Sequence, residues 1–147
     1  MSDDRPILDQ VNLVTGDLPA SVAFYRLLGV EIPDTRPGWN DHHRTAEFGD
    51  NEVVDFDIDS SGFATHWGSG EIPSGPLLSF RFETREAVDG RYAELIDAGY
   101  RGLREPYDAF FGARYAIVED PGGVAVGLMS EPSEEHRSAP PDVSTFG

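Results

Sequence analysis

Two periods of apolar residues alternate along this chain. In residues 8–14, Leu8, Val11 and Leu13 supply apolar contacts while Gln10, Asn12 and Val14 share the opposite face, as in a strand with one greasy and one partly polar side. The period then lengthens to that of a helix, with Leu18, Val22 and Tyr25 recurring beside Ser21, Phe24 and Leu28. Asp17 stands at its N-cap, Pro19 fits the first turn and Gly29 ends it. Residues 30–32 read as a second strand. A loop at 33–41 follows, with Pro37-Gly38 as turn chemistry and Trp39 standing out. Residues 42–48 and 52–58 read as a hairpin around Gly49-Asp50-Asn51.

The pattern begins again at Pro76. Residues 76–82 form an apolar strand, Thr84 caps a helix carrying Val88, Tyr92, Leu95 and Ile96, and Ala98-Gly99 closes it. Residues 101–105, 110–119 and 123–129 are three further strands, the last two joined by the turn at Asp120-Pro121-Gly122-Gly123. The chain is therefore expected to be α+β, with two βαβββ modules at 1–62 and 76–130. A Ser-, Gly- and Pro-rich connector at 63–75 joins them, and a polar, poorly ordered tail at 131–147 follows, all within one compact domain. A half-covered sheet needs its other face shielded or given to a ligand, so the modules are expected to form a cup-shaped mixed sheet around a concave cavity.

Charge narrows the partners. Eleven Lys and Arg against 27 Asp and Glu leave 11 − 27 = −16, which repels phosphate backbones and anionic membranes, so no nucleic acid or membrane partner is expected. No apolar run approaches the roughly 20 residues that cross a bilayer, and the opening residues do not read as a signal peptide; a cytoplasmic location is expected. The absence of cysteine excludes disulfides, thiolate metal sites and cysteine nucleophiles.

In the strand at 52–58, Val54, Phe56 and Ile58 face one way and Val53, Asp55 and Asp57 the other. Two carboxylates on one face require water, a cation or a partner. They read as a general base, as an anchor for a cationic ligand, or as a satisfied pair bonded to Arg81 or Asn12. His42 and His43 invite a metal, but strand neighbours point to opposite faces. His66-Trp67 reads either as part of a lid or as a packing plug. No Ser, His and Asp spacing suggests nucleophilic catalysis, and no glycine loop suggests phosphate binding.

Asp17-Leu18-x-x-Ser21-Val22-x-Phe24-Tyr25 followed by Leu28-Gly29, with Phe111-Gly112-x-Arg114 running into Asp120-Pro121-x-Gly123, resembles the vicinal oxygen chelate superfamily. That superfamily includes glyoxalases, extradiol dioxygenases and bleomycin-type resistance proteins. The resemblance spans about residues 8–130, and its second motif looks most like the antibiotic-binding branch. It implies the paired βαβββ cup and a homodimer. In metal-dependent members, ligands come from the first and last strand of each module, which here are Gln10, Asp55, Leu77 and Gly127. Leu77 and Gly127 offer no side-chain ligand, so no metal or other cofactor is expected. The alternative is a site outside the family pattern, drawing on His42, His43 or His66.

The resemblance thus implies a metal-free small-molecule binding protein, with antibiotic sequestration among its options. Its cavity would be lined by Gln10, Asn12, Asp55, Asp57, Leu77, Ser79, Arg81 and Gly127. Trp39, Trp67, Phe110, Phe111 and Tyr115 would stack on an aromatic, cationic ligand. The alternative is a lyase, isomerase or dioxygenase of the same fold, with an unorthodox metal site or Asp55 as base. A third reading keeps the fold for protein interaction alone.

Overall fold

The computed structural model describes residues 5–51, 54–68 and 75–146. They contain seven strands and three α-helices in an α+β arrangement, and the chain falls into two compact units. Gln10–Pro76 and the closing residues from Asp142 form one unit; Leu77–Pro141 and the start of the first strand form the other.

The first unit holds β1 (Ile7–Thr15), α1 (Leu18–Leu28), β2 (His43–Thr45), β3 (Asp55–Ser60) and α2 (Ser61–Gly68). β1 runs parallel to β3, with Gln10 opposite Asp55 and Asn12 opposite Asp57; β2 runs antiparallel to β3, with His43 opposite Asp59. Asp17 caps α1 by accepting from the Ala20 amide at 3.1 Å, and Gly29 ends it at φ 112°, a left-handed value that suits glycine. Leu18 and Val22 of α1 pack on Ile32, Ala46 and Ile58, with Leu13, Tyr25 and Phe56 around them. The polar face of β1 is nonetheless its more buried one, with Val14 at 2% and Asn12 at 6% exposure.

Three expectations change here. Residues 30–32 form no strand, only a bridge between Glu31 and Glu47. The Arg26 guanidinium donates to the Ile32 carbonyl and Pro33 has no N–H, so a ladder cannot continue. The expected connector begins as a helix: the Ser60 hydroxyl accepts from the Phe63 amide at 3.1 Å, and Phe63, Ala64 and Trp67 turn one apolar face inward. The expected hairpin is short, with a 3-10 turn at Gly49–Asn51; Glu52 and Val53 lie outside the described residues.

The second unit holds β4 (Gly75–Phe82), α3 (Arg85–Asp97), β5 (Gly102–Asp108), β6 (Arg114–Glu119) and β7 (Ala125–Ser130). From Leu77 on, β4 pairs parallel with β7; β6 lies antiparallel to β7, and β5 to β6. This half matches the βαβββ expectation element by element. Thr84 caps α3 by accepting from the Ala87 amide, and Val88 packs on Phe82, Ala116, Val118 and Leu128. The strand expected from Phe110 starts only at Arg114, because residues 109–113 turn, closed by the Ala109 amide on the Ala113 carbonyl, with Gly112 at φ 96°. The tail contains 3-10 turns at Glu134–His136 and Val143–Phe146, and Phe146 is buried. None of the helices among the described residues is long and apolar enough to cross a membrane.

Candidate functional site

In each module the first and last strands are parallel neighbours, so their alternating side chains build one face turned away from the module's helix. In the first unit this face carries Gln10, Asn12, Asp55, Asp57, Asp59, His43 and Thr45. Strand alternation continues the acidic run one step past the expected end, and Asp59 becomes the most buried carboxylate among the described residues, at 2% exposure. Its two oxygens are both used. Oδ2 accepts from Asn12 Nδ2 at 3.1 Å and Oδ1 pairs with His43 Nδ1 at 2.5 Å. Gln10 Nε2 donates to Asn12 Oδ1 at 2.5 Å, extending the chain of bonds to the family ligand position.

Asp57 is bound less completely. It is 8% exposed, a Thr45 hydrogen bond stabilises its ionised form, and its Oδ2 lies 4.0 Å from His43 Nε2, yet Oδ1 is buried without a partner. Burial is the main force pushing its pKa up to about 7; the nearby charges of Asp59 and Asp55 add to it, while His43 and Thr45 oppose it. His43 titrates above its ordinary value: burial works to lower it, but the hydrogen bond to Asp59 and the charges of Asp59 and Asp57 outweigh that. Asp59 thereby orients His43 through Nδ1 and leaves Nε2 toward Asp57. A carboxyl near neutrality beside an oriented imidazole can accept or donate a proton, and it can anchor a cationic or N–H-bearing group. Asp55, in contrast, is exposed.

The corresponding face of the second unit holds Leu77, Ser79 and Arg81 on β4, Gly127 on β7 and Tyr115 on β6. A Cβ added at Gly127 would meet Ser79 Oγ and the Tyr115 hydroxyl, each at 2.8 Å. Tyr115 and Ser79 therefore occupy the space that a family carboxylate would need, and Leu77, 1% exposed, offers only hydrocarbon. The residues present do not fit the family's metal. Among the described residues no group of three or more His, Asp or Glu could hold a metal ion in some other way. His42 bonds to Ser60 at 2.9 Å, His43 bonds to Asp59, and His66 stacks on Phe63.

The expected site residues thus fall into separate groups. Gln10, Asn12, Asp55 and Asp57 share the first face; Leu77, Ser79, Arg81, Tyr115 and Gly127 share the second. Asp57 is not bonded to Arg81 or Asn12: Arg81 pairs with Asp9 at 3.6 Å and Glu131 at 3.8 Å, and Asn12 bonds to Asp59. Phe110 and Phe111 lie edge to face at 5.5 Å, with Phe111 reaching Tyr115 at 6.4 Å. Trp67 is buried in α2, whereas Trp39 is half-buried and meets Phe63 and Phe146 edge-on at 5.1 and 5.7 Å. Asp59, Thr45 and the role of His43 were not legible as site features. The available signal was the period-two run Asp55, Asp57, Asp59, whose last member passes for the start of a loop.

A family model described as Glyoxalase/Bleomycin resistance protein/Dioxygenase superfamily matches residues 7–128. No curated protein matches the chain significantly. Among solved structures, a superfamily member from Vibrio splendidus 12B01 is 16% identical, with 86% of this chain and 100% of that one covered at a TM-score of 0.57. The NAD-dependent benzaldehyde dehydrogenase of Legionella pneumophila is 17% identical, with 82% and 96% covered at 0.59. A variant of the methylmalonyl-CoA epimerase of Streptomyces coelicolor, in complex with 2-nitronate-propionyl-CoA, is 23% identical, with 86% and 97% covered at 0.53. At these identities the likeness is one of fold.

Proposed function

Because the chain belongs to the glyoxalase/bleomycin resistance protein/dioxygenase superfamily, we propose that it is a metal-free member that binds a small aromatic cation, with Asp57 as the anchor. The observation that carries this reading is Asp57 Oδ1, a buried carboxylate oxygen without a protein partner beside Asn12 and His43. An ammonium or N–H group would supply the missing bond and favour the ionised carboxylate. Leu77 and Gly127 offer no side-chain ligand, which supports the metal-free reading, and sequestration of a cationic antibiotic is one use of such a protein. The test is a thermal-shift panel of aromatic amines and antibiotics, bleomycin included, followed by calorimetry on the hits. Cationic hits should release a fraction of a proton on binding at pH 7, seen as a heat that depends on the buffer's ionisation enthalpy. Asp57→Asn should weaken them by about 1–3 kcal/mol. Hits that are anionic, or that bind the variant as tightly as wild type, would move the anchor to Arg81.

A second reading is an isomerase or lyase that moves a proton between carbon and Asp57 or His43. Asp57's pKa of about 7 and the 4.0 Å approach of His43 Nε2 favour it. Incubation with a methylmalonyl thioester in deuterium oxide checks it: deuterium entering the substrate carbon, lost in Asp57→Asn, would make the protein an enzyme. The same proposal includes a homodimer in the cytoplasm; a light-scattering mass near the 16.1 kDa of one chain would remove the dimer.

A further inference from the structure

The end of the chain fills an aromatic nest. Val143–Phe146 form a single 3-10 turn, preceded by Asp142, whose carboxylate accepts from the Ser144 amide at 2.9 Å and whose carbonyl accepts from Thr145 Oγ1 at 2.7 Å. Of the five residues only Phe146 is buried. Its ring lies 5.7 Å from Trp39, 5.1 Å from His42, 5.2 Å from Phe63 and 5.9 Å from His66. The seat is cut for backbone as well as ring: a Cβ on Gly62 would collide with the Phe146 carbonyl oxygen. A cleft of about 530 Å³ adjoins it, with Asp17, Asp41, His42, Ser61 and Phe146 among its lining. The family model ends at residue 128, so this tail lies beyond the matched region.

We propose that the nest of Trp39, His42, Phe63 and His66 is a binding site for an aromatic ring, and that Phe146 is its tethered occupant. Four rings with edges and faces presented to one phenyl group suit any flat aromatic of that size. One buried side chain on one turn is a small anchor, and it owes much of its occupancy to the tether, which holds the ring at a high effective concentration. An external ligand enters when the tail leaves, and the cleft then continues from the ring seat toward Asp41. A phenyl ring carrying an ammonium group on a short arm fits this pairing of aromatic rings with carboxylates. The nest adjoins the Asp57 anchor, since Phe63 meets His43 edge-on at 5.8 Å, but its ring seat uses neither Asp57 nor Asp59.

Two variants open the seat by different routes: a chain ending at Pro141, and Gly62→Ala, whose new methyl collides with the Phe146 carbonyl but leaves the rings intact. The probes are 2-phenylethylammonium, 3-phenylpropionate and the peptide Asp-Val-Ser-Thr-Phe-Gly, measured by calorimetry on proteins whose fold is checked by circular dichroism. Both variants should bind 2-phenylethylammonium at least tenfold more tightly than the full chain does, and more tightly than they bind 3-phenylpropionate. The peptide should bind the shortened chain but not Gly62→Ala, where its backbone meets the added methyl. If neither variant binds the amine better than the full chain, the proposal fails. If both variants unfold, Phe146 is a core residue rather than a plug, and the proposal fails equally. Equal binding of the propionate would overturn the assignment of the cationic arm.

Discussion

Asp57 is the residue on which pH acts most directly. Its folded pKa of about 7 lies above the ordinary 3.8, so the folded protein holds this proton more tightly than the unfolded chain. The resulting stabilisation is complete below pH 3.8 and is lost as the pH rises to about 7. His43, also raised, adds a loss of the same sign above 6.5. Urea unfolding of wild type should therefore give a free energy that falls between about pH 4 and 7. Asp57→Asn should flatten this slope appreciably. A variant whose profile parallels wild type would show that Asp57 is ionised throughout. Ser79 offers a second test: its hydroxyl is buried without a partner, so Ser79→Ala should be neutral or stabilising, by up to about 1 kcal/mol. Gly127→Ala should cost about 1–3 kcal/mol, because its methyl overlaps the Tyr115 and Ser79 oxygens, and the urea midpoint reads both changes.

Among the elements, the two long helices are started by one side chain each, Asp17 for α1 and Thr84 for α3. Replacing either with Ala should cost about 1 kcal/mol by removing that side-chain cap bond, a loss visible in thermal unfolding. The cost at α1 should be felt in the cleft too, since Asp17, Leu18 and Pro19 line it. The element boundaries that differ from expectation have local causes. Arg26 takes the Ile32 carbonyl from a would-be strand, and Ser60 caps a helix that its Ser- and Gly-rich composition disguises.

At the scale of the whole molecule, a net charge of −16 means self-repulsion that salt relieves. Raising ionic strength from about 0.01 to 0.15 M should raise the melting temperature, since the Debye length shrinks from about 30 to 8 Å. A melting temperature indifferent to salt would mean that ion pairs such as Arg114 with Asp89 at 2.8 Å offset the repulsion locally.

The α+β class, the helices at 18–28 and 85–97 with their caps, the βαβββ order of the second module and the family were all legible in the order of residues. Those features follow from local periodicity and turn chemistry; period-two alternation also paired Gln10 with Asn12 and Asp55 with Asp57, and the β1–β3 register joined the two pairs on one face. Which polar groups are buried together depends on the folded chain. Asp59 and His43 are 16 residues apart and meet because β2 and β3 pair in one register, information that no local pattern carries. The same holds for Phe146: a polar tail with one aromatic residue reads as solvated until a nest built from residues 39–66 gives that ring a place to be buried. Burial and long-range pairing are properties of the assembled chain, and they turn an ordinary aspartate into one that titrates near neutrality.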